Sequence, residues 1–488
     1  MITAGMWFWW LGISAALGGE VAFDSVFEDR TMRVDYYHGG NAKEDWISLD
    51  HVYVQGSWAG SRTRLADPFD NGRYQVKVLE PSSGKILYSR GFDSIFSEYK
   101  TTQSALQGQW RVFHETALIP CPRQKILLEM SIRGPDQQLK PLWKTEIDPA
   151  SPSVLRREPP GQVKILWAQK SGDPHKKVDL AILGEGYTPR EEKKFQRDVT
   201  RFAAILFSQE PYKRLQAQFN VVGVLSPSEE SGCDEPRRSI YKRTALGLTF
   251  NSLGLDRYVL TEDNRALRDV AGHVPYDALL IMLNHKRYGG GGIYNLFATF
   301  PADNERSPYV FLHELGHSFA GLGDEYFTSP VAYESFFDAK VEPSEPNVTA
   351  LLDPRALKWK ELVEGGTPLP TPWTKEGFEA MERDYQKVRA RLNDELDEKY
   401  KQHAPLAELT RLEAQSEAVT REHAGKLKAY LGQDPNRDKV GAFEGAGYQA
   451  KGLYRPMIDC IMFSSGQKPY CQVCEKAIEK TIQRFQEP

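Results

Sequence analysis

In the stretch Val310-Phe311-Leu312-His313-Glu314-Leu315-Gly316-His317-Ser318-Phe319-Ala320-Gly321-Leu322-Gly323-Asp324-Glu325-Tyr326, residue types and spacing suit a hydrolytic metal centre. On a helix, positions i and i+4 lie roughly 40° apart, so His313 and His317 project from one face and suit two imidazole ligands on one zinc ion. Glu314 sits beside them, able to act as general base on a zinc-activated water. A catalytic zinc takes a third protein ligand. On a continued helix Asp324 would lie roughly 10 Å along the axis from His317, too far to share an ion bonded at roughly 2 Å. The chain must therefore turn back after His317, and Gly321 and Gly323 tolerate the positive φ such a turn needs. Asp324 is then the expected third ligand, with Glu325 as the competitor. A ligand from a second helix downstream finds little support, since Pro330, Pro343 and Pro346 oppose a helix there. The bland reading is a chance His-Glu-x-x-His. It leaves the glycine turn and the acidic pair that closes it unexplained.

These residues need a scaffold, and the chain divides into two textures. Residues 23–147 carry short alternating runs punctuated by turn signals, among them Thr31 to Tyr37, Tyr74 to Leu79, Lys85 to Ser89 and Lys125 to Met130. Such spacing predicts an antiparallel β-sandwich, with Trp46, Trp58 and Trp110 expected in its core. A proline-rich linker is expected over residues 148–162. Residues 163–488 then read as an α/β domain that carries the His-Glu-x-x-His motif, so the whole is α+β. Within it Val178 to Gly184, Phe219 to Val224 and Ala278 to Leu283 are apolar runs suited to buried strands. Thr188 is expected to cap a helix with Pro189 in its first turn and Phe195, Val199, Phe202 and Leu206 on its buried face.

Two further segments stand out. Tyr288-Gly289-Gly290-Gly291-Gly292 lacks the Lys-Ser/Thr of a phosphate-binding loop, so a mobile or substrate-lining loop is expected, with Tyr288, Gly289 and Gly290 lining the substrate. Residues 374–431 are rich in charge and in Ala, Leu, Glu and Lys. They predict a two-helix hairpin broken at Pro405 and inserted as a solvated structural arm. Asn347-Val348-Thr349 is an N-glycosylation pattern, usable in a glycosylating host.

Composition narrows the function classes. The chain has 488 residues, 40% hydrophobic and 26% charged, with a net charge of −4. It therefore carries no basic footprint for nucleic acid. Met6 to Leu17 is an apolar run followed by small residues, without a basic residue before it. Residues 1–19 are read as an export signal, leaving no transmembrane segment in the mature chain and an extracellular, cell-surface or periplasmic location. Of the five cysteines, Cys460, Cys471 and Cys474 cluster near the C-terminus. Cys471-Gln472-Val473-Cys474 has the spacing of half a zinc knuckle without its second half. One disulfide within the cluster is the expectation for an exported protein.

The sequence resembles the immunoglobulin-A-peptidase-type zinc metallopeptidases, the sixty-fourth metallopeptidase family, placed among the zincins with a Met-turn. The likeness runs from Arg33-Val34-Asp35-Tyr36 and Phe96 to Thr102 through Glu185-Gly186-Tyr187-Thr188, Ser231 to Asp234, Phe250-Asn251-Ser252, the four glycines and the His313 to Tyr326 motif. It ends with Gly441 to Ala446, Tyr454-Arg455-Pro456, Cys460-Ile461-Met462 and Tyr470 to Cys474. The resemblance implies a zinc-dependent, metzincin-like endopeptidase domain behind an N-terminal β-sandwich, the helical hairpin being an insertion. It places Met462, or else Met457, in a Met-turn beneath the metal. Phe463 and Ser464 follow, so no turn tyrosine is evident, and Tyr454 is the candidate to steady the oxyanion. The expected partner is a protein or peptide substrate. A non-catalytic surface-binding protein built on the same scaffold, and a zinc hydrolase of a non-peptide amide, are the rival readings.

Overall fold

The computed structural model describes residues 21–328, 338–466 and 468–486; the expected export signal and Pro330 lie outside them. After a helical turn α1 (Phe23–Val26), the N-terminal part alternates apolar and polar residues along β1 (Phe27–Gly40), β2 (Asp45–Gln55), β3 (Tyr74–Leu79) and β4 (Ile86–Phe92). Two short helices, α2 (Ile95–Tyr99) and α3 (Gln103–Leu106), lead to β5 (Arg111–Pro122), β6 (Ile126–Arg133), β7 (Leu139–Ile147) and β8 (Val154–Arg156). They form two four-stranded sheets, ordered β5-β1-β2-β8 and β4-β3-β6-β7. Met32, Val34 and Tyr36 from one meet Val76, Val78, Leu128 and Met130 from the other, as inward-facing residues at a period of two must.

Two expectations need correcting. Val154–Arg156 pairs parallel to Val52, Tyr53 and Val54, so the segment read as a linker contributes a strand to the sandwich. Trp58 is buried, but Trp46 and Trp110 are 37% and 50% exposed. Trp46 stands on the outer face of β2 and covers the backbone of Gly39, where a Cβ would come within 2.9 Å of its ring.

The second part is organised on a six-stranded mixed sheet: β9 (Lys164–Gln169), β10 (Val178–Glu185), β11 (Phe219–Leu225), β12 (Ala278–Leu283), β13 (Gly291–Ile293) and β14 (Phe297–Pro301), ordered β13-β14-β12-β10-β11-β9. The inner strands β10, β11, β12 and β14 run parallel, while β9 and β13 close the two edges antiparallel. Parallel strands buried on both faces read as unbroken apolar runs, which is how the sequence identified β10 to β12. Thr188 N–H donates to Glu191 Oε2 at 2.9 Å in a capping box that starts α4 (Glu192–Leu206). Helix α5 (Asn264–Ala271) precedes β12, and α6 (Ser307–Ala320) carries His313, Glu314 and His317.

The sheet has two different covers. Val178, Leu180 and Ile182 pack with α4, α6 and the C-terminal helix, while Ala181, Leu183, Val222 and Val224 pack with α5 and with Ile95, Phe96 and Phe113 of the N-terminal part. The sandwich is thus the second cover of the six-stranded sheet. Charge fixes the join: Arg33 grips Asp35 through two bonds of 2.8 and 2.7 Å and reaches Asp269 of α5 at 2.6 Å.

Helices α7 (Lys375–Lys401) and α8 (Leu406–Leu431) form the expected hairpin, turned at Pro405. Leu396, Leu409 and Leu412 pack together at its tip, and Phe378 and Leu427 join the main core at its base. A small hairpin, β15 (Phe443–Ala446) and β16 (Gln449–Arg455), and helix α9 (Gln472–Phe485) complete the chain.

Candidate metal centre and its cleft

Helix α6 is positioned from both ends. Pro308 stands in its first turn, and Gly321 closes it at φ +62°, a left-handed conformation that glycine adopts freely. The reversal returns the backbone over the last turn, so that His317 Nδ1–H donates to Leu322 O at 2.6 Å. His313 Nδ1–H donates to Ile461 O at 3.0 Å. With both Nδ1 atoms engaged as donors, the neutral imidazoles present Nε2 lone pairs inward.

Those lone pairs converge. His313 Nε2 and His317 Nε2 lie 3.1 Å apart, and each is 3.2 Å from Asp324 Oδ1. Asp324 is buried, and its Oδ1 has no hydrogen-bonding partner. Three acceptors facing one point need a cation between them. The proton is one answer: burial works against a charged His317, but the Asp324 carboxylate outweighs it and pushes the imidazole up to about 9. The same imidazoles hold Asp324 well below the usual carboxylate range against its burial. A divalent metal is the other answer, and two imidazoles with a carboxylate form a donor set suited to zinc. The residues present therefore fit the ion.

Glu314 lies one residue from His313 on the cleft side of α6. Burial raises its pKa, and the neighbouring imidazoles oppose the rise. Beside it runs β13, the edge strand made by the glycine stretch. A Cβ on Gly292 would fall 2.4 Å from Glu314 O and 3.0 Å from His317 Cβ, and one on Gly290 would fall 2.7 Å from Val310 Cγ1. Glycine is what lets this strand lie directly on α6. Of the segment expected as a loop, Tyr288 and Gly289 remain outside regular structure, while Gly291 and Gly292 belong to a strand packed against the helix that carries the histidines.

Asp324 and Glu325 separate. Glu325 N–H donates to Met462 O at 2.9 Å, and its carboxylate turns away from the imidazoles toward Cys474, Oε1 lying 3.1 Å from that Sγ. Met462 is fully buried beneath α6, its Sδ 3.0 Å from where a Cβ on Gly316 would stand, whereas Met457 is half-buried. Asn347 is buried, receiving Gly323 N–H at 2.7 Å and donating to Gly323 O and Glu325 Oε1 at 2.9 Å each. The glycosylation pattern is therefore an internal brace, closed to glycosylation in the folded chain. All five cysteines are buried free thiols, so the structure holds none of the expected disulfide.

Around the centre lies a cleft of about 570 Å³. Tyr288, Gly289 and Gly290 line it, and the Arg306 guanidinium sits 3.6 Å over the Tyr288 ring. Helices α7 and α8 supply Tyr385, Arg389, Asn393 and His423, and the N-terminal part supplies Asn71, Asp93 and Glu98. The hairpin expected as a solvated arm is a wall of this cleft. Tyr454 sits on β16 with its N–H on Thr349 O at 2.8 Å, and it is Tyr448 that lines the cleft. The Tyr448 hydroxyl donates to Asp324 Oδ2. Gly447 and Tyr448 N–H groups donate to Asp324 O and Tyr326 O at 2.9 and 3.0 Å, so the turn between β15 and β16 is stitched to the segment that carries Asp324. Sequence reasoning missed Tyr448. The clue was Gly445-Ala446-Gly447-Tyr448, a glycine-flanked turn following the family-like Phe443.

Two family models match the chain. One, described as IgA Peptidase M64, covers residues 166–482; the other, Peptidase M64 N-terminus, covers residues 22–144. No curated protein matches it.

Proposed function

The chain belongs to the IgA peptidase M64 family and is a peptidase, and from that premise we propose that it is a zinc-dependent, exported endopeptidase cutting internal bonds of protein substrates. The observation that carries the zinc dependence is the convergence of His313 Nε2, His317 Nε2 and Asp324 Oδ1 within 3.2 Å, with Glu314 adjacent. Held by these three residues, zinc supplies Lewis-acid polarisation of the scissile carbonyl and acidifies water at the site. Glu314 takes the proton of the attacking water and later delivers it to the leaving amine; its burial-raised pKa suits both halves of that task. Asp324 keeps both imidazoles facing inward, and the carbonyls of Ile461 and Leu322 fix their orientation from behind. Tyr448, bonded to Asp324 at the cleft surface, is the better-placed hydroxyl to steady an oxyanion than Tyr454.

Substrate lies beside β13, which borders the cleft beyond the point where Gly290 pairs with Tyr258, and the α7–α8 wall reads its side chains. This is a metzincin-like arrangement: an edge strand, a two-histidine helix reversed at glycine, and a methionine, Met462, beneath the histidines. Export rests on the apolar Met6 to Leu17 run. Membership of the family does not make immunoglobulin A the substrate, since specificity is set by the cleft.

The test is digestion of casein and a mixed peptide library with and without chelator, cleavage sites being read by mass spectrometry. Internal cuts that chelator abolishes and zinc restores are expected. No cleavage under any metal condition would favour a binding protein on a peptidase scaffold, and hydrolysis confined to non-peptide amides would favour the other rival.

A further inference from the structure

We propose that Glu325, Cys460, Cys471 and Cys474 form a second, structural zinc site beneath the His313–His317–Asp324 centre. Their ligand atoms lie within 4.8 Å of one another, and all four residues are buried. Cys460 Sγ is 3.9 Å from Cys474 Sγ, Cys474 Sγ is 3.1 Å from Glu325 Oε1, and Cys471 Sγ is 3.9 Å from the same oxygen. A tetrahedral zinc with bonds of about 2.3 Å to sulfur sets its ligand sulfurs about 3.8 Å apart. A disulfide would draw two of them to about 2.05 Å. The spacing is that of ligands around an ion.

The surroundings suit charged ligands. Cys460 Sγ accepts N–H groups from Met462 at 3.5 Å and Cys471 at 3.2 Å, which stabilises a thiolate. Asn347 Nδ2 orients the Glu325 carboxylate from behind at 2.9 Å, the place of an outer-shell partner. Glu325 Oε2, on a side chain with no exposed surface, has no partner. Among the described residues no Lys or Arg forms an ion pair with that carboxylate. The buried Arg455 instead spends its Nη donors on the carbonyls of Gly445 at 2.8 Å and of Glu444 and Ile458 at 3.3 Å. A third acidic grouping, Asp35, Asp50 and His114, shows the contrast: Arg33 holds Asp35 at 2.8 and 2.7 Å, and Arg265 holds Asp50 at 2.6 Å. There arginines have taken the cation's place; at Glu325 none stands within ion-pair distance, and the buried Arg455 acts on that carboxylate only through its charge.

The second half of the knuckle begun by Cys471 and Cys474 is thus Cys460 and Glu325, brought from two other parts of the chain. An ion here would clamp together the segment after α6, the loop bearing Ile461 and Met462, and the start of α9. That clamp would set the position of Asp324 and of the carbonyl behind His313. The site is independent of the peptidase reading, and its test does not use activity.

The full chain, purified under reducing conditions and exposed to zinc, is compared with His313→Ala/His317→Ala and Cys471→Ser/Cys474→Ser variants by emission spectrometry. The expected result is two zinc ions per chain in the unaltered protein and one in each double variant. The ion left in the histidine variant should withstand mild chelation and leave when a mercurial titrates the thiols. Cobalt loaded into the unaltered chain should give a thiolate-to-cobalt charge-transfer band, so the readout survives a variant that fails to fold. Absence of that band, or a histidine variant holding no zinc with its thiols free, or a disulfide among the three cysteines in unreduced protein, would each overturn the proposal.

Discussion

Asp324 and Glu325 are neighbours in the chain whose carboxylates serve opposite sides of it: Asp324 Oδ1 lies 3.2 Å from both inward imidazole nitrogens, and Glu325 Oε1 lies 3.1 Å from Cys474 Sγ. Spacing alone left either as the third ligand of the histidine centre. Asp324→Ala should therefore remove the ion from that centre and lower turnover by at least about 100-fold, more than the loss of an outer-shell partner does. Glu325→Gln should keep measurable turnover while lowering the thermal midpoint. Zinc content and kcat measured on both variants decide it; the reverse pattern would make Glu325 the ligand.

Most of what surrounds that pair was legible in the sequence, for physical reasons. The i, i+4 histidines and the reversal at Gly321 follow from helix geometry and left-handed glycine, and β10 to β12 declared themselves as continuous apolar runs. What was hidden came from distant parts of the chain. Tyr448 reaches Asp324 because a turn 124 residues away is stitched to it, and the N-terminal sandwich covers one face of the peptidase sheet. The hairpin carried a solvated composition, yet one of its faces borders the cleft. Periodicity shows which residues a helix buries; the neighbour that buries them has to be seen.

The contact between β13 and α6 depends on the absence of a side chain. Gly292→Ala would press a methyl to 2.4 Å from Glu314 O. A loss of roughly 1–3 kcal/mol of stability is expected, with reduced kcat/KM as the strand moves off the helix. Gly425→Ala is the control: it lies inside α8 with nothing within 4 Å of the added carbon, and should gain roughly 0.5–1 kcal/mol. Denaturant midpoints at constant m-value give both numbers. Equal effects would show that the close approach does not matter.

His38 gives the fold a pH dependence. It is buried between Glu115 at 2.7 Å and Asp45 at 2.5 Å. Burial lowers its pKa, but the two carboxylates outweigh burial and raise it from 6.5 to about 9. A folded pKa above the unfolded one stabilises fully below pH 6.5, and the contribution is lost as the pH rises through about 9. At its fullest it is roughly 3 kcal/mol. The thermal midpoint should fall across that window in the unaltered chain, and His38→Gln should start lower and fall less. Calorimetry from pH 6 to about 9.5 checks it; a level midpoint in the unaltered chain would contradict it.

If the α7–α8 wall reads substrate, its loss should appear in binding. Arg389 lines the cleft from α7. Arg389→Ala is expected to raise KM for a protein substrate several-fold while kcat changes by less than about 3-fold. A change confined to kcat would place the hairpin outside substrate recognition.

The central claim, that Glu314 is the base of a zinc peptidase, is tested most directly by Glu314→Gln. The amide keeps the size of the side chain and cannot take the proton. The variant should hold as much zinc as the unaltered chain, by emission spectrometry, and lose roughly 10²–10⁴-fold in kcat on a peptide that the unaltered chain cuts. Undiminished cleavage by a zinc-loaded Glu314→Gln protein would contradict it.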